Sequence, residues 1–514
     1  MVNITTRPAS GSVEFDGSIG TKPTPAATTI GYIWASGTNN AGLWYTDGAG
    51  TTVQLNSAGG GGGGAIDGSL SDNYIPIGNA TDTVGNFVLG LTENNSIWIG
   101  SDPSSVTDTA SHNTAVGLNA LDSVTTGDSN TIMGRNAGTA ITTGEMNSYF
   151  GHAAGGEATT SSYNAFFGYN AAGTGTRGNQ NVGMGYFAMS INQGTNNVAM
   201  GHNAMQGEAG ADNDESVGIG AYALRNVSGT ADMNTAVGYA AMQGAATGLT
   251  DAAQYNTAVG NRAMRDLTSG YANVAMGRDA GYDISSGYQN VALGYQAGYN
   301  VTTGHTNTMV GGQAARGQTT ANGNTAIGYD SLYKTTIGSE NVAVGKMAGY
   351  NYAGTTSALY GAFSTFLGYA AGYAVTGGNS YGHVIAIGHQ PMYNATGANK
   401  SMAIGNSALV SGTDALDVVA IGTAAGAYAD ATGSVYIGNK AGFRTSGNYN
   451  TAVGYRALSG SSSGDVSHNN VAIGYEAMLD ASNSEENVVI GNYAAAEITT
   501  GDYNVAIGHA ALRY

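Results

Sequence analysis

The phrase Asn-x-Ala-(Val/Ile/Met)-Gly-x-x-Ala returns along this chain at a nearly constant interval, and that interval limits the fold more than any other feature. It reads Asn113-Thr114-Ala115-Val116-Gly117-Leu118-Asn119-Ala120 early in the chain. Its glycine recurs 24 times from Gly100 to Gly508, and 14 of the 23 intervals are 17 residues. Self-similarity at a fixed short period marks stacked units that bury a core only against their neighbours. Seventeen residues hold two short strands and two turns, not a pair of helices.

Each slot of the repeat has a physical reading. The residue before the core glycine is large and apolar in all 24 copies. Three residues after the glycine comes Ala in 21 copies, with Pro103, Ser331 and Pro391 as the exceptions. A slot so consistently small predicts a tight interior corner. The next slot is mostly Leu or Met (Leu121, Met205, Leu512) or Gly. After such a Gly an aromatic often follows, as in Gly281-Tyr282, Gly298-Tyr299 and Gly442-Phe443, and the ring reads as replacing lost core volume. Ten residues beyond the core glycine a second glycine follows two hydroxyl residues, as in Thr125-Thr126-Gly127 and Ser285-Ser286-Gly287. That predicts a turn with positive φ at the glycine and hydroxyls bonded to backbone. The opening Asn, present in 17 of 24 copies, tolerates the left-handed conformation and predicts an amide ladder from coil to coil. Extra residues in the irregular intervals, at 206–215, 243–255 and 350–365, predict loops that project from one face.

A coil of this kind offers about two large apolar residues. At roughly 1.5–3 kcal/mol per buried side chain, they do not offset a backbone ordering cost of about 1–2 kcal/mol for every residue. Stacking must supply backbone hydrogen bonds, and lateral association of chains a second core.

Composition narrows the function classes. The 83 glycines do not fall at every third residue, which excludes collagen, and 42% apolar content argues against disorder. A net charge of −18 without a basic window excludes nucleic acid as a partner. No run approaches the ~18–20 apolar residues needed to cross a bilayer, so membrane insertion is not expected. The chain has no cysteine, and Met1-Val2-Asn3-Ile4-Thr5-Thr6-Arg7-Pro8 lacks the charged and apolar regions of a signal peptide. It is expected to be made in the cytoplasm without an anchor of its own.

The phrases Asn341-Val342-Ala343-Val344-Gly345 and Asn504-Val505-Ala506-Ile507-Gly508 resemble the head repeats of trimeric autotransporter adhesins (the YadA-like head), and similar repeats occur in bacteriophage fibre proteins. The resemblance covers about residues 96–514. It implies an all-β fold: a β-solenoid in each chain, a left-handed parallel β-roll of about 24 coils, with three chains packed as a homotrimeric fibre. Those adhesins continue into a coiled-coil stalk and a membrane barrel, whereas this sequence ends on a repeat at His509-Ala510-Ala511-Leu512-Arg513-Tyr514. The expectation is therefore a structural fibre of a bacteriophage virion, on tail, neck or capsid, acting in host attachment or as a spacer. The alternative is a bacterial cell-surface adhesin or extracellular filament subunit. With coils stacked at ~4.8 Å the shaft would run to roughly 110 Å.

Four segments are expected. Residues 1–58 read as a small N-terminal β attachment unit, in which Trp34, Trp44 and Tyr45 are the candidate docking residues for other virion proteins. Residues 59–64 are a glycine hinge, 65–95 a neck, and 96–514 the shaft. His152, His202, His389 and His509 share the slot after the core glycine with Tyr169, Tyr186, Tyr239, Tyr295, Tyr329, Tyr455 and Tyr475. A slot that accepts all of these reads as packing or surface, not as a metal site. No zinc-protease, nucleophile-elbow or calcium-loop pattern is present, so no catalytic residue, cofactor or metal is expected. Glu208, Asp212, Asp214 and Glu215 gather in one inserted loop. Paired acids can hydrolyse glycosides, but solvated loop charge is the simpler reading. A host surface glycan or protein is the remaining expected contact, and the tyrosines offer rings on which sugars could stack.

Overall fold

The structure is a computed structural model. It describes residues 95–100 and 109–513, except 176–177, 209, 246–247, 353–361, 376–381, 413–414, 462–464 and 498, and before residue 95 the backbone of five strands. The chain divides into two compact units, Met1–Trp98 and Ile99–Tyr514. In the first, Tyr32–Ser36, Gly42–Thr46 and Thr52–Gln54 form an antiparallel sheet that sets Trp34 opposite Trp44 in register. Asn73–Ile77 pairs antiparallel with Val88–Glu93. The glycine hinge and the side chains of Trp34, Trp44 and Tyr45 lie outside the described residues.

The second unit is a parallel β-solenoid of about 22 turns with a period of about 17 residues, and no helix occurs among the described residues. Each coil contributes one short strand to a common ladder. Val274–Met276 pairs with Val291–Leu293, Val274 against Val291, Ala275 against Ala292 and Met276 against Leu293. Successive side chains of a strand point to opposite faces. The middle residue points inward, so Ala275, Ala292, Tyr149, Phe166 and Phe366 are fully buried. The large residue before the core glycine points outward: Met133 is 45% and Met276 46% exposed. The inward strand slot is thus mostly alanine, while Leu121, Ile141, Met189 and Leu224 supply larger buried side chains from elsewhere in the coil.

Backbone conformation explains the glycines and much of the rest. The core glycine holds φ between 124 and 143° in every coil, a region L-residues rarely enter. A Cβ on Gly294 would also lie 2.6 Å from the Gly311 carbonyl oxygen of the next coil. Only glycine satisfies both limits. Three further slots are left-handed although they carry side chains. They are the second residue after the glycine (Asn119, φ 58°), the fourth (Leu121, φ 54°) and the residue before the ladder Asn (Ser129, φ 58°). Each such residue costs of order 1–3 kcal/mol. An isolated coil cannot sustain that; a stacked one can, through its neighbours.

Several expectations need correction. The second glycine does not generally serve handedness: Gly501 takes positive φ, at 157°, but Gly127 and Gly287 do not. Their Cβ atoms would lie 2.3 and 2.4 Å from the carbonyl oxygens of Gly144 and Gly304, so close coil packing selects glycine. The hydroxyls before it do bond to backbone, with Ser285 Oγ donating to Thr302 O at 3.1 Å. The ladder Asn is not left-handed either; the residue before it is. The amide ladder itself is present, and where Ser216 and Ser364 replace Asn their hydroxyls accept from Asn234 N at 3.1 Å and Val384 N at 3.0 Å. Tyr282, Tyr299 and Phe443 do not refill the core, because all three are only half-buried. The space beside Gly281 is taken by Ile284, and beside Gly155, Gly372 and Gly442 by the rings of Tyr149, Phe366 and Tyr436. Finally, the insertions at 206–215 and 243–255 stack into the wall. Ala211 and Leu249 are fully buried, and Gly207, Val227 and Leu249 bridge in parallel. The 350–365 insertion falls largely outside the described residues.

Candidate functional surfaces

The outward strand face runs along the ladder from Thr114 to Ile507. Its two outward slots per coil hold residues such as Val274 and Met276, Thr365 and Leu367, or Val435 and Ile437. From Thr114 to Ile507 neither slot carries a charge, in a chain where charged residues make up 10%. Chance does not produce a face this uniform. Soluble monomers rarely expose contiguous apolar patches beyond a few hundred Å².

Aromatic side chains stack along the coils in two further slots. In the slot after the core glycine, His152, Tyr169, Tyr186 and His202 stack at centroid distances of 5.0, 5.3 and 5.3 Å. In the slot five residues after it, eight consecutive coils supply Arg265, Tyr282, Tyr299, Arg316, Tyr333, Tyr350, Tyr373 and Tyr393. Tyr282 and Tyr299 stack at 4.9 Å, and Tyr333, Tyr350, Tyr373 and Tyr393 at 5.1, 4.9 and 4.7 Å. The Arg316 guanidinium joins the two runs, 5.3 Å from the Tyr299 centroid and 5.7 Å from that of Tyr333. Within such a stack the ring faces cover one another and the edges remain. Sugar stacking on faces, the role expected of tyrosine, has no open face inside these runs. Burial, with nearby Asp283, raises the Tyr299 phenol above its usual range, and burial with Tyr373 does the same at Tyr350. The positions 265, 282, 299, 316, 333 and 350 follow the 17-residue spacing, so this ladder was legible as arithmetic in the sequence.

The loop acids are separated by role. Glu208, Asp212 and Glu215 are exposed, while Asp214 is half-buried. Asp214 Oδ1 accepts from Thr195 N at 2.6 Å and Thr195 Oγ1 at 2.9 Å, and Asp214 N donates to Asp232 Oδ1 at 2.9 Å. The same coil-to-coil bond is made by Ser162, Asn179 and Asn322 in their own coils. Asp214 is therefore one rung of a second side-chain ladder. Burial, followed by Asp214 and Asp232, raises the Asp212 carboxyl above the ordinary range. Among the described residues no group of three His, Asp or Glu is placed to hold a metal, and no helix is long and apolar enough to cross a membrane.

Ion pairs gather in the coils after Gly260. Asp279, almost wholly buried, meets Arg262 at 2.7 Å and Arg278 at 3.3 Å, and Arg265 meets Asp266 at 3.1 Å. Arg316 instead donates to Gln296 Oε1 at 3.2 Å and to the Tyr333 hydroxyl at 3.2 Å. Compared with family models, curated proteins and solved structures, the chain matches none.

Proposed function

We propose that this chain is a structural fibre subunit of a bacteriophage virion, three copies packing their outward strand faces around a common axis. The observation that carries the reading is the absence of charge from both outward slots along the ladder. In a cyclic assembly identical residues meet at each level, so a charge in either slot would face its own kind. Burying rows such as Met133, Met184, Met200 and Met276 supplies the second core that single coils lack. The rod then serves in host attachment or as a spacer, with residues 1–58 docking to the other virion proteins.

The test is the mass of the full chain in solution by light scattering. A trimer is expected, converted to monomer by Met276→Glu with Leu293→Glu while the far-ultraviolet dichroism is kept. A parent chain that runs as a monomer at micromolar concentration sinks the reading. Deleting residues 1–58 should leave the trimer intact and abolish incorporation into particles; normal incorporation would reverse the assignment of the ends.

A further inference from the structure

The eight-coil stack changes character at Arg316. Its coil carries Gly312 where neighbours carry Tyr295 and Tyr329, and Gly317 where they carry Asn300 and Lys334. No side chain flanks the guanidinium on its own coil in those slots. The nearby arginines Arg262, Arg265 and Arg278 each have a carboxylate partner. Among the described residues Arg316, Lys334 and Lys346 have none within ion-pair distance. Asp330 interacts electrostatically with Lys346 and Arg316, but it is only 7% exposed and its Oδ1 has no hydrogen-bond partner. Two cations thus face one buried carboxylate, which leaves a cationic excess beside a row of phenol edges in a chain of net charge −18.

We propose that this strip binds a linear acidic polysaccharide along the solenoid axis, with Arg316 recognising its carboxylates. The guanidinium lies between the Tyr299 and Tyr333 rings, fixed by Nε donating to Gln296 and Nη1 to the Tyr333 hydroxyl, so Nη2 remains to donate to a carboxylate. The tyrosine rings recur at centroid intervals of 4.7–5.1 Å, and their hydroxyls offer donors and acceptors to sugar hydroxyls. That step is comparable to one pyranose ring of an extended glycan. An extended peptide advances ~3.3 Å per residue and falls out of step. Recognition here is by edge and charge, because the ring faces are occupied. The inference deepens the host-attachment reading and rests on it for its biological setting, though not for its chemistry.

The experiment is titration calorimetry on the full chain with polygalacturonate oligomers, neutral dextran oligomers and inorganic polyphosphate. Polygalacturonate should bind, more weakly as salt rises, and Arg316→Ala should lower its affinity at least tenfold. Arg316→Lys should recover only part of that loss, because the charge returns without the fixed guanidinium. Val410 and Ala427 occupy the same slot in other coils, so the Ala variant is compatible with the fold. Lys334→Ala, on the exposed surface, is a second variant and should lower affinity about threefold. Dextran binding as tightly, an unchanged affinity in Arg316→Ala and Lys334→Ala, or no polygalacturonate binding overturns the proposal. Polyphosphate binding as tightly as polygalacturonate also overturns it, leaving charge without sugar recognition. A monomeric chain that still binds polygalacturonate would sink the fibre reading and leave the strip standing.

Discussion

One side-chain oxygen, Oδ1 of Asn273, accepts both the backbone N–H of Asn290 at 3.0 Å and its side-chain amide at 3.1 Å. The same Asn290 amide donates to the Gly304 carbonyl at 2.8 Å, so the rung also pins the hydroxyl turn. Both residues are fully buried. Each rung satisfies polar groups that have no access to water, and its removal strands those of the next coil.

Asn290→Ala should therefore cost more than Asn290→Ser. Alanine leaves the buried Asn307 N–H without the acceptor it has now at 3.0 Å, at about 1–3 kcal/mol for an unsatisfied buried group. Serine can still accept, as Ser216 and Ser364 do in their coils. The reading is hydrogen exchange at Asn307, because a repeat array need not unfold in one step. Equal protection in the two variants would mean that the rung is decorative.

Two alanines should respond in opposite senses. Ala297 is fully buried at the corner, and Ala297→Leu should overpack its coil by about 1–3 kcal/mol. Ala153 sits at φ 53°, where a Cβ is strained, so Ala153→Gly should stabilise rather than loosen the chain, by roughly 0.5–1 kcal/mol. Urea melts of both variants beside the parent decide the matter. An Ala297→Leu variant that melts like the parent would show that the corner is not interior.

The contrast between Ala275 and Met276 shows where sequence reading ran out. Periodicity located the slots, the small corner and the amide ladder, because those depend only on residue type at a fixed spacing. It left open which of two neighbouring slots faces inward. Size would favour Met276 for the core, but the pleat places Ala275 there, because coils this narrow have no room for a large residue at every level. Left-handed slots were equally hidden. Leu121 and Met205 do not announce positive φ, since the stack imposes it against their local preference. The tyrosine ladder was readable by spacing, but its face-to-face geometry and the bonds of Arg316 to Gln296 and Tyr333 needed coordinates.

Stability should fall at high pH through two buried phenols. Burial raises Tyr352 and Tyr436 from the ordinary 10 to about 12. Below pH 10 both the folded and unfolded chains keep these protons, and the full contribution is present. Between pH 10 and 12 the unfolded chain ionises while the folded one does not, so stability drops by about 1.4 kcal/mol per pH unit for each tyrosine. Over that window each loses on the order of 2–3 kcal/mol. Tyr352→Phe removes one share of the slope, and also the 2.8 Å bond to Ser364 at every pH. Urea midpoints at pH 8, 10 and 11.5 test this; parallel pH dependence in parent and variant would refute it.

A whole coil should be removable and half a coil should not. Deleting residues 274–290, 17 residues, joins Asn273 to Val291 and leaves every slot in phase. Asn273 would then meet Asn307 as it now meets Asn290, and Arg265 would face Tyr299 as it now faces Tyr282. The buried Asp279 leaves with the coil, so Arg262 loses its partner without stranding a charge in the interior. Because each coil touches only its neighbours, the loss is one interface and one step of ~4.8 Å in length. Deleting residues 274–281 instead removes the strand Val274–Met276 and the core glycine Gly277, and leaves residues 282–290 as half a coil with no strand to place in the ladder. The full-coil deletion should keep the parent's far-ultraviolet dichroism and resist protease, and the partial one should aggregate. If both variants fold alike, the register is not set by the slots described above; if neither folds, coil 274–290 is not equivalent to its neighbours.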